Sequence, residues 1–153
     1  MIKYLLSLVL LFGCQAKERD AQQRIYLLHS ISATLVRDPI DEHTGNLTMI
    51  DLNSSVVFFS SPPKKATGTI PITTFINKWE SARANLKTPP KSAGFLYYKI
   101  GDKEYNHIAI ELILPNYNAG SETLSVVLQA FGEKFPEKEL KMEEVTLFLD
   151  LDL

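Results

Sequence analysis

Apolar residues recur at every second position in separate stretches along most of this chain. Successive side chains of a strand point to opposite faces, so such alternation marks strands with one buried face and one wet face. In the first stretch Ile25, Leu27, Ile31, Ala33 and Leu35 share a face, with Ser30, Ser32 and Thr34 opposite. The turn from Asp38-Pro39 to Asn46 ends it. Leu47 to Leu52 and Ser55 to Ser60 read as two more strands, parted by Asn53-Ser54, and Pro62-Pro63-Lys64-Lys65 stops the second. Leu96, Tyr98 and Ile100 alternate with Phe95, Tyr97 and Lys99, and Gly101-Asp102 supplies a hairpin turn. Ile108, Ile110, Leu112 and Leu114 alternate with His107, Ala109, Glu111 and Ile113. Pro115 to Ser121 reads as a loop, Leu124 to Ala130 as a strand, and Gly132 to Glu144 as a charged loop with a helical turn. Val145, Leu147, Leu149, Leu151 and Leu153 form the last strand.

One segment has a different period. Phe75, Ile76, Trp79, Ala82 and Leu86 recur at helical spacing, with Lys78, Glu80 and Arg83 between them. Pro71 precedes this helix and Thr73 is its expected cap. Trp79, the only tryptophan, belongs to the apolar stripe and is expected to be core. The expected fold is mainly β: an antiparallel β-sandwich, or a partly open barrel, of about seven strands with one inserted helix.

The N-terminus has no place in that core. Lys3 precedes an apolar run from Tyr4 to Gly13, ten residues long. A membrane-spanning helix needs about 20, whereas a secretory signal needs a basic start, an apolar stretch of about 7–15 and small residues at the cut. Leu11-Phe12-Gly13-Cys14 resembles the bacterial lipobox, with Leu11, Gly13 and Cys14 in register. Phe12 departs, since that slot usually holds Ala, Ser, Thr, Val or Ile. The resemblance implies cleavage before Cys14, lipid on its thiol and an address in the cell envelope. In enterobacteria an Asp after the lipidated Cys retains a protein at the inner membrane. Gln15 stands there, so the resemblance implies an outer-membrane lipoprotein facing the periplasm. The domain organisation is then a signal peptide at 1–13, a lipidated polar tether at 14–24 and a single β domain at 25–153.

A second resemblance lies within the domain. Phe59-Ser60-Ser61-Pro62, Thr67-Gly68-Thr69-Ile70, Phe75, Trp79 and Pro89-Pro90-Lys91-Ser92-Ala93 are similar to a group of bacterial secreted β-rich proteins of no assigned activity. The similarity covers about residues 47–131. Ser61 and Lys91-Ser92 depart from its pattern. It implies a fold unit and no chemistry.

Composition narrows the function classes. Net charge is −2, so the totals point to neither nucleic acid nor an anionic membrane surface. Cys14 is the single cysteine, which rules out an intrachain disulfide, a CxxC pair or a cysteine nucleophile in the domain. No serine lies in a Gly-x-Ser-x-Gly elbow, and no Gly-rich phosphate loop occurs. His29 reads as a core histidine with one hydrogen bond. Asp38, Asp41, Glu42 and His43 read as a solvated turn, because their spacing matches no calcium loop.

The expected activity is therefore not catalytic, and no cofactor or metal is expected. The chain reads as an envelope lipoprotein whose domain is a protein–protein interaction module, held to the membrane through Cys14 and partnered by another envelope protein. The alternatives are a periplasmic carrier with an apolar small molecule between sheet and helix, or a hydrolase. The candidate partner-binding residues are Lys64 and Lys65 on a stiff basic loop, the aromatic set of Phe95 with Tyr97, Tyr105 and Tyr117, and the acidic pair Asp150 and Asp152. Exposed aromatics carry much of the energy of protein interfaces.

Overall fold

The computed structural model describes residues 24–60, 65–84 and 92–151. The elements in chain order are β1 (Arg24–Arg37), β2 (Thr44–Leu52), β3 (Ser55–Ser60), β4 (Thr67–Pro71), α1 (Ile72–Ala84), β5 (Ser92–Lys99), β6 (Asn106–Asn118), β7 (Thr123–Ala130) and β8 (Glu139–Leu151). The sheet order is β2-β7-β6-β5-β8-β1-β3-β4, and β2 also pairs with β1. Every pairing is antiparallel.

The extra β1–β2 pairing closes a ring of β1, β2, β7, β6, β5 and β8, so the fold is a barrel and not a clean sandwich. The expectation of a mainly β antiparallel fold with one helix holds. β1 makes the closure possible because it is long. Its residues 30–37 pair with β2, its residues 24–27 pair with β3, and β8 runs along its other edge. The β3–β4 hairpin therefore continues the wall past the ring.

Large aliphatic side chains fill the barrel. Leu28 and Leu35 of β1, Leu47 and Met49 of β2, Ile110 and Leu112 of β6, and Leu147 and Leu149 of β8 are all buried. A barrel this narrow has room for side chains and little else. Both ends are plugged. At one end Phe135 is buried, its N–H donating to the Glu42 carbonyl at 3.0 Å and its carbonyl accepting from Arg37 Nη1 at 3.0 Å. At the other end α1 inserts Ile72, Phe75, Ile76 and Trp79. The Phe75 ring lies 5.0 Å from Tyr26 of β1 and 5.5 Å from Trp79. Trp79 is 1% exposed, as its place on the stripe predicts.

Three strands change phase at one latitude. Tyr26, Leu28 and Ser30 point inward, then Ile31 and Ser32 are both exposed, then Ala33 and Leu35 point inward. β2 does the same at Ile50 and Asp51, and β8 at Glu143 and Glu144. Asp51 and Glu144 have φ of 53° and 50°, and by register they flank Ile31 on either side. Each strand carries one extra residue here, and the extra residues stack into a common bulge. Ser30 serves this bulge: its buried hydroxyl contacts the carbonyls of Ser32 and Ile50, and it accepts from the Ser32 N–H at 3.3 Å.

Several expectations are corrected. Ile25 and Leu27 face outward and Ile31 is exposed, because the bulge shifts the phase between them and Ala33. His29 accordingly sits on the outer wall and not in the core. β4 is an eighth strand, short and containing one large apolar residue, Ile70. β6 runs on through Pro115 to Asn118 after its own extra residue at Ile113, where a loop was expected. β8 begins at Glu139 within the charged run. The helix begins at Ile72, so Thr73 lies inside its first turn and is not its cap.

Candidate functional site

On the outer wall the side chains form rows that cross the strands. One row is Leu27, Phe148, Phe95 and Ala109, on β1, β8, β5 and β6. Beside it runs Ile25, Asp150, Ala93 and Glu111, and on the other side His29, Thr146, Tyr97 and His107. Ala93 and Ala109 are small where their neighbours are large, which leaves a hollow. Ile25, Phe95, Tyr97, Phe131, Phe148 and Asp150 stand around it, and the open groove between them is about 430 Å³.

Local contacts hold those walls. Phe131 follows β7 and is pinned by its N–H donating to the Ala109 carbonyl at 3.0 Å. Tyr97 meets Phe148 edge-on at 5.0 Å and stacks with His107 at 5.6 Å. Gly94 permits the β5–β8 approach, since a Cβ there would collide with the Phe148 carbonyl oxygen. The walls remain in contact with water: Phe95 is 47% exposed, Phe131 52% and Ile25 43%. Of the lining residues only Tyr97 and Asp150 carry a hydroxyl or a carboxylate. The chemistry the groove offers is desolvation of an apolar group against aromatic faces.

The expected site residues divide. Phe95, Tyr97 and Asp150 line the groove. Tyr105 lies apart, under the Lys99 ammonium at 4.7 Å. Tyr117 is half-buried and packs against the core. Lys65 is exposed just before β4. Cys14, Lys64 and Asp152 lie outside the described residues, as do the signal peptide and tether. Ile25, Phe131 and Phe148 were not singled out by the sequence reading. Ile25 and Phe148 carry a signal that could have found them: Ile25 and Leu27 of β1 and Phe148 of β8 are large apolar residues on the face opposite the buried one.

The remaining polar clusters have structural work. Asp38 Oδ1 accepts from the Ile40 and Asp41 N–H groups at 2.8 and 3.0 Å. Asp41 accepts from the Thr44 hydroxyl at 2.7 Å and from the His43 N–H, which hold its carboxyl below its ordinary pKa. Glu42 is lowered by its hydrogen bond to Lys134 at 2.8 Å and by the nearby Arg37 guanidinium. The turn thus ties 38–44 to the segment that carries the Phe135 plug. His29 reaches Thr146 Oγ1 at 3.0 Å and Glu144 at 3.6 Å. Among the described residues no group of three or more His, Cys, Asp or Glu side chains is placed to hold a metal, and no helix is long and apolar enough to cross a membrane.

No protein-family model, curated protein or solved structure gives a significant match to this chain.

Proposed function

We propose that this chain is a lipid-anchored envelope protein whose β domain is a non-catalytic interaction module, docking an apolar segment of another envelope protein in the groove between Phe95 and Phe131. The observation that carries the reading is the groove itself. Aromatic side chains stand 38–52% exposed around a floor of alanines, on a barrel whose interior is already full. Leaving Phe95, Tyr97 and Phe131 in water is unfavourable by about 25 cal/mol for each Å² that a partner would cover. Aromatic anchors of this kind dominate interface energetics.

A carrier is the second reading, and the groove volume supports it, falling within the roughly 300–1,000 Å³ of small-ligand sites. The space between sheet and helix, where such a ligand was expected, is filled by Phe75, Ile76 and Trp79.

The test places a photo-crosslinking residue at Tyr97 in the full chain, in its native membrane. A protein adduct from Tyr97 is expected, lost when Phe95→Glu and Phe131→Glu are added and absent when the probe sits at Tyr105. A groove that yields no protein adduct, while an apolar small molecule is extracted from the purified chain, makes the protein a carrier.

A further inference from the structure

Among the described residues the sheet has a free edge. β2 ends the strand order on one side and closes onto β1, but β4, on the other side, has β3 as its only strand neighbour among the described residues. The Ser60 N–H donates to the Ala66 carbonyl at 2.8 Å, and the Ile72 N–H to the Ser54 carbonyl at 2.9 Å. Bonding alternates along an antiparallel pair. Residues 66, 68, 70 and 72 therefore face β3, and Lys65, Thr67 and Thr69 turn their peptide groups outward, while the Pro71 carbonyl takes the first hydrogen bond of α1.

An exposed edge is usually guarded by charge, by proline or by shortness. β4 is five residues long and ends at Pro71, but it carries no charge. Its centre, Thr67-Gly68-Thr69, reads the same in both directions. We propose that β4 pairs antiparallel with β4 of a second copy of this chain, about a two-fold axis at Gly68.

That register is complementary at Thr67 and Thr69. Thr67 exchanges both backbone hydrogen bonds with Thr69 of the second copy, and Thr69 with its Thr67. Pro71 has no N–H to give and its carbonyl is engaged by α1, so the pairing stops there. Gly68 meets Gly68 in the closely spaced non-hydrogen-bonded site, where Cα atoms approach to about 4.5 Å. A larger side chain is excluded there already, because a Cβ on Gly68 would stand 2.9 Å from the Phe58 ring. On the outer face the threonines form cross-strand pairs, a favourable combination. They adjoin Val57 and Phe59, which are 37% and 44% exposed on the neighbouring strand. A two-fold contact of one patch with itself closes at the dimer. This pairing uses none of the groove residues and does not depend on what the groove binds.

The experiment is sedimentation equilibrium of the full chain in density-matched detergent, from micromolar to millimolar protein, with amide exchange at Thr67 and Thr69. The protein mass is expected to double with concentration, and those two amides to become protected as it does. Thr69→Pro removes an N–H that β3 does not use, so it should leave the far-UV spectrum and melting temperature of the monomer in place and abolish the dimer. The double variant Thr67→Lys with Thr69→Lys sets like charges opposite each other and decides the matter if the proline variant does not fold. A wild-type chain that stays monomeric at millimolar concentration overturns the proposal. So does a dimer that survives the lysine pair, or one whose protected amides lie around Phe95 and Phe131.

Discussion

At the scale of single residues, Ser30 shows how little the side-chain type says until its neighbours are placed. A serine in an alternating strand reads as the wet face. Here it is fully buried, because the bulge needs a hydroxyl to meet backbone groups that the ladder leaves behind. Ser30→Ala would leave the Ile50 carbonyl and the Ser32 N–H without that partner. The expected loss is about 0.5–1.5 kcal/mol of stability, the usual net worth of a hydrogen bond. Urea denaturation of the variant against wild type measures it. An unchanged midpoint would mean that water replaces the hydroxyl.

At the scale of elements, α1 is the end wall of the barrel. Trp79 stacks behind Phe75, which in turn meets Tyr26, so the helix contributes a file of aromatic rings to the core. Trp79→Ala should cost about 3–5 kcal/mol, as large-to-small core changes do. Trp79→Phe should recover most of it. Chemical denaturation followed by far-UV circular dichroism gives the comparison, and Trp79, as the only tryptophan, should itself emit as a buried indole in the wild type. The helix was legible in the sequence because Phe75, Ile76 and Trp79 recur at its period. The strands were legible wherever alternation ran unbroken. What the period-two pattern could not show was the extra residue at Ile31, Asp51 and Glu144, since one insertion turns every later side chain to the other face. β4 escaped because a Thr-Gly-Thr segment owes its strand geometry to β3 and not to its own propensity. The first half of β8 was hidden in a charged run, where Leu140 and Met142 alternate with Lys and Glu that face water. Of the groove, Phe95, Tyr97 and Asp150 could be picked out singly. Their meeting with Phe131 depends on the β5–β6–β7 register, which no local pattern encodes.

At the scale of the whole molecule, the proposed anchor and the barrel are separable. If lipid is attached at Cys14, Cys14→Ser should release the chain from the membrane fraction or leave it uncleaved, without altering the melting of the domain. Detergent-phase partitioning and intact mass of the purified chain test this. Unchanged partitioning, with no lipid mass on the wild type, removes the lipoprotein reading and leaves the barrel to be explained without it.

Within the ring the first strand lies beside the eighth: Arg24 stands opposite Leu151, and Val36 opposite Glu139. These contacts span more of the chain than any others in the sheet, and long-range pairing slows folding. Until residues 139–151 arrive, β1 and β5 each present a bare edge, and such edges invite pairing with other chains. The barrel is thus sealed from its far end, after the rest of the wall has been laid down. A chain interrupted before residue 139 would therefore carry two bare strand edges, on β1 and β5, that β8 alone covers in the folded sheet.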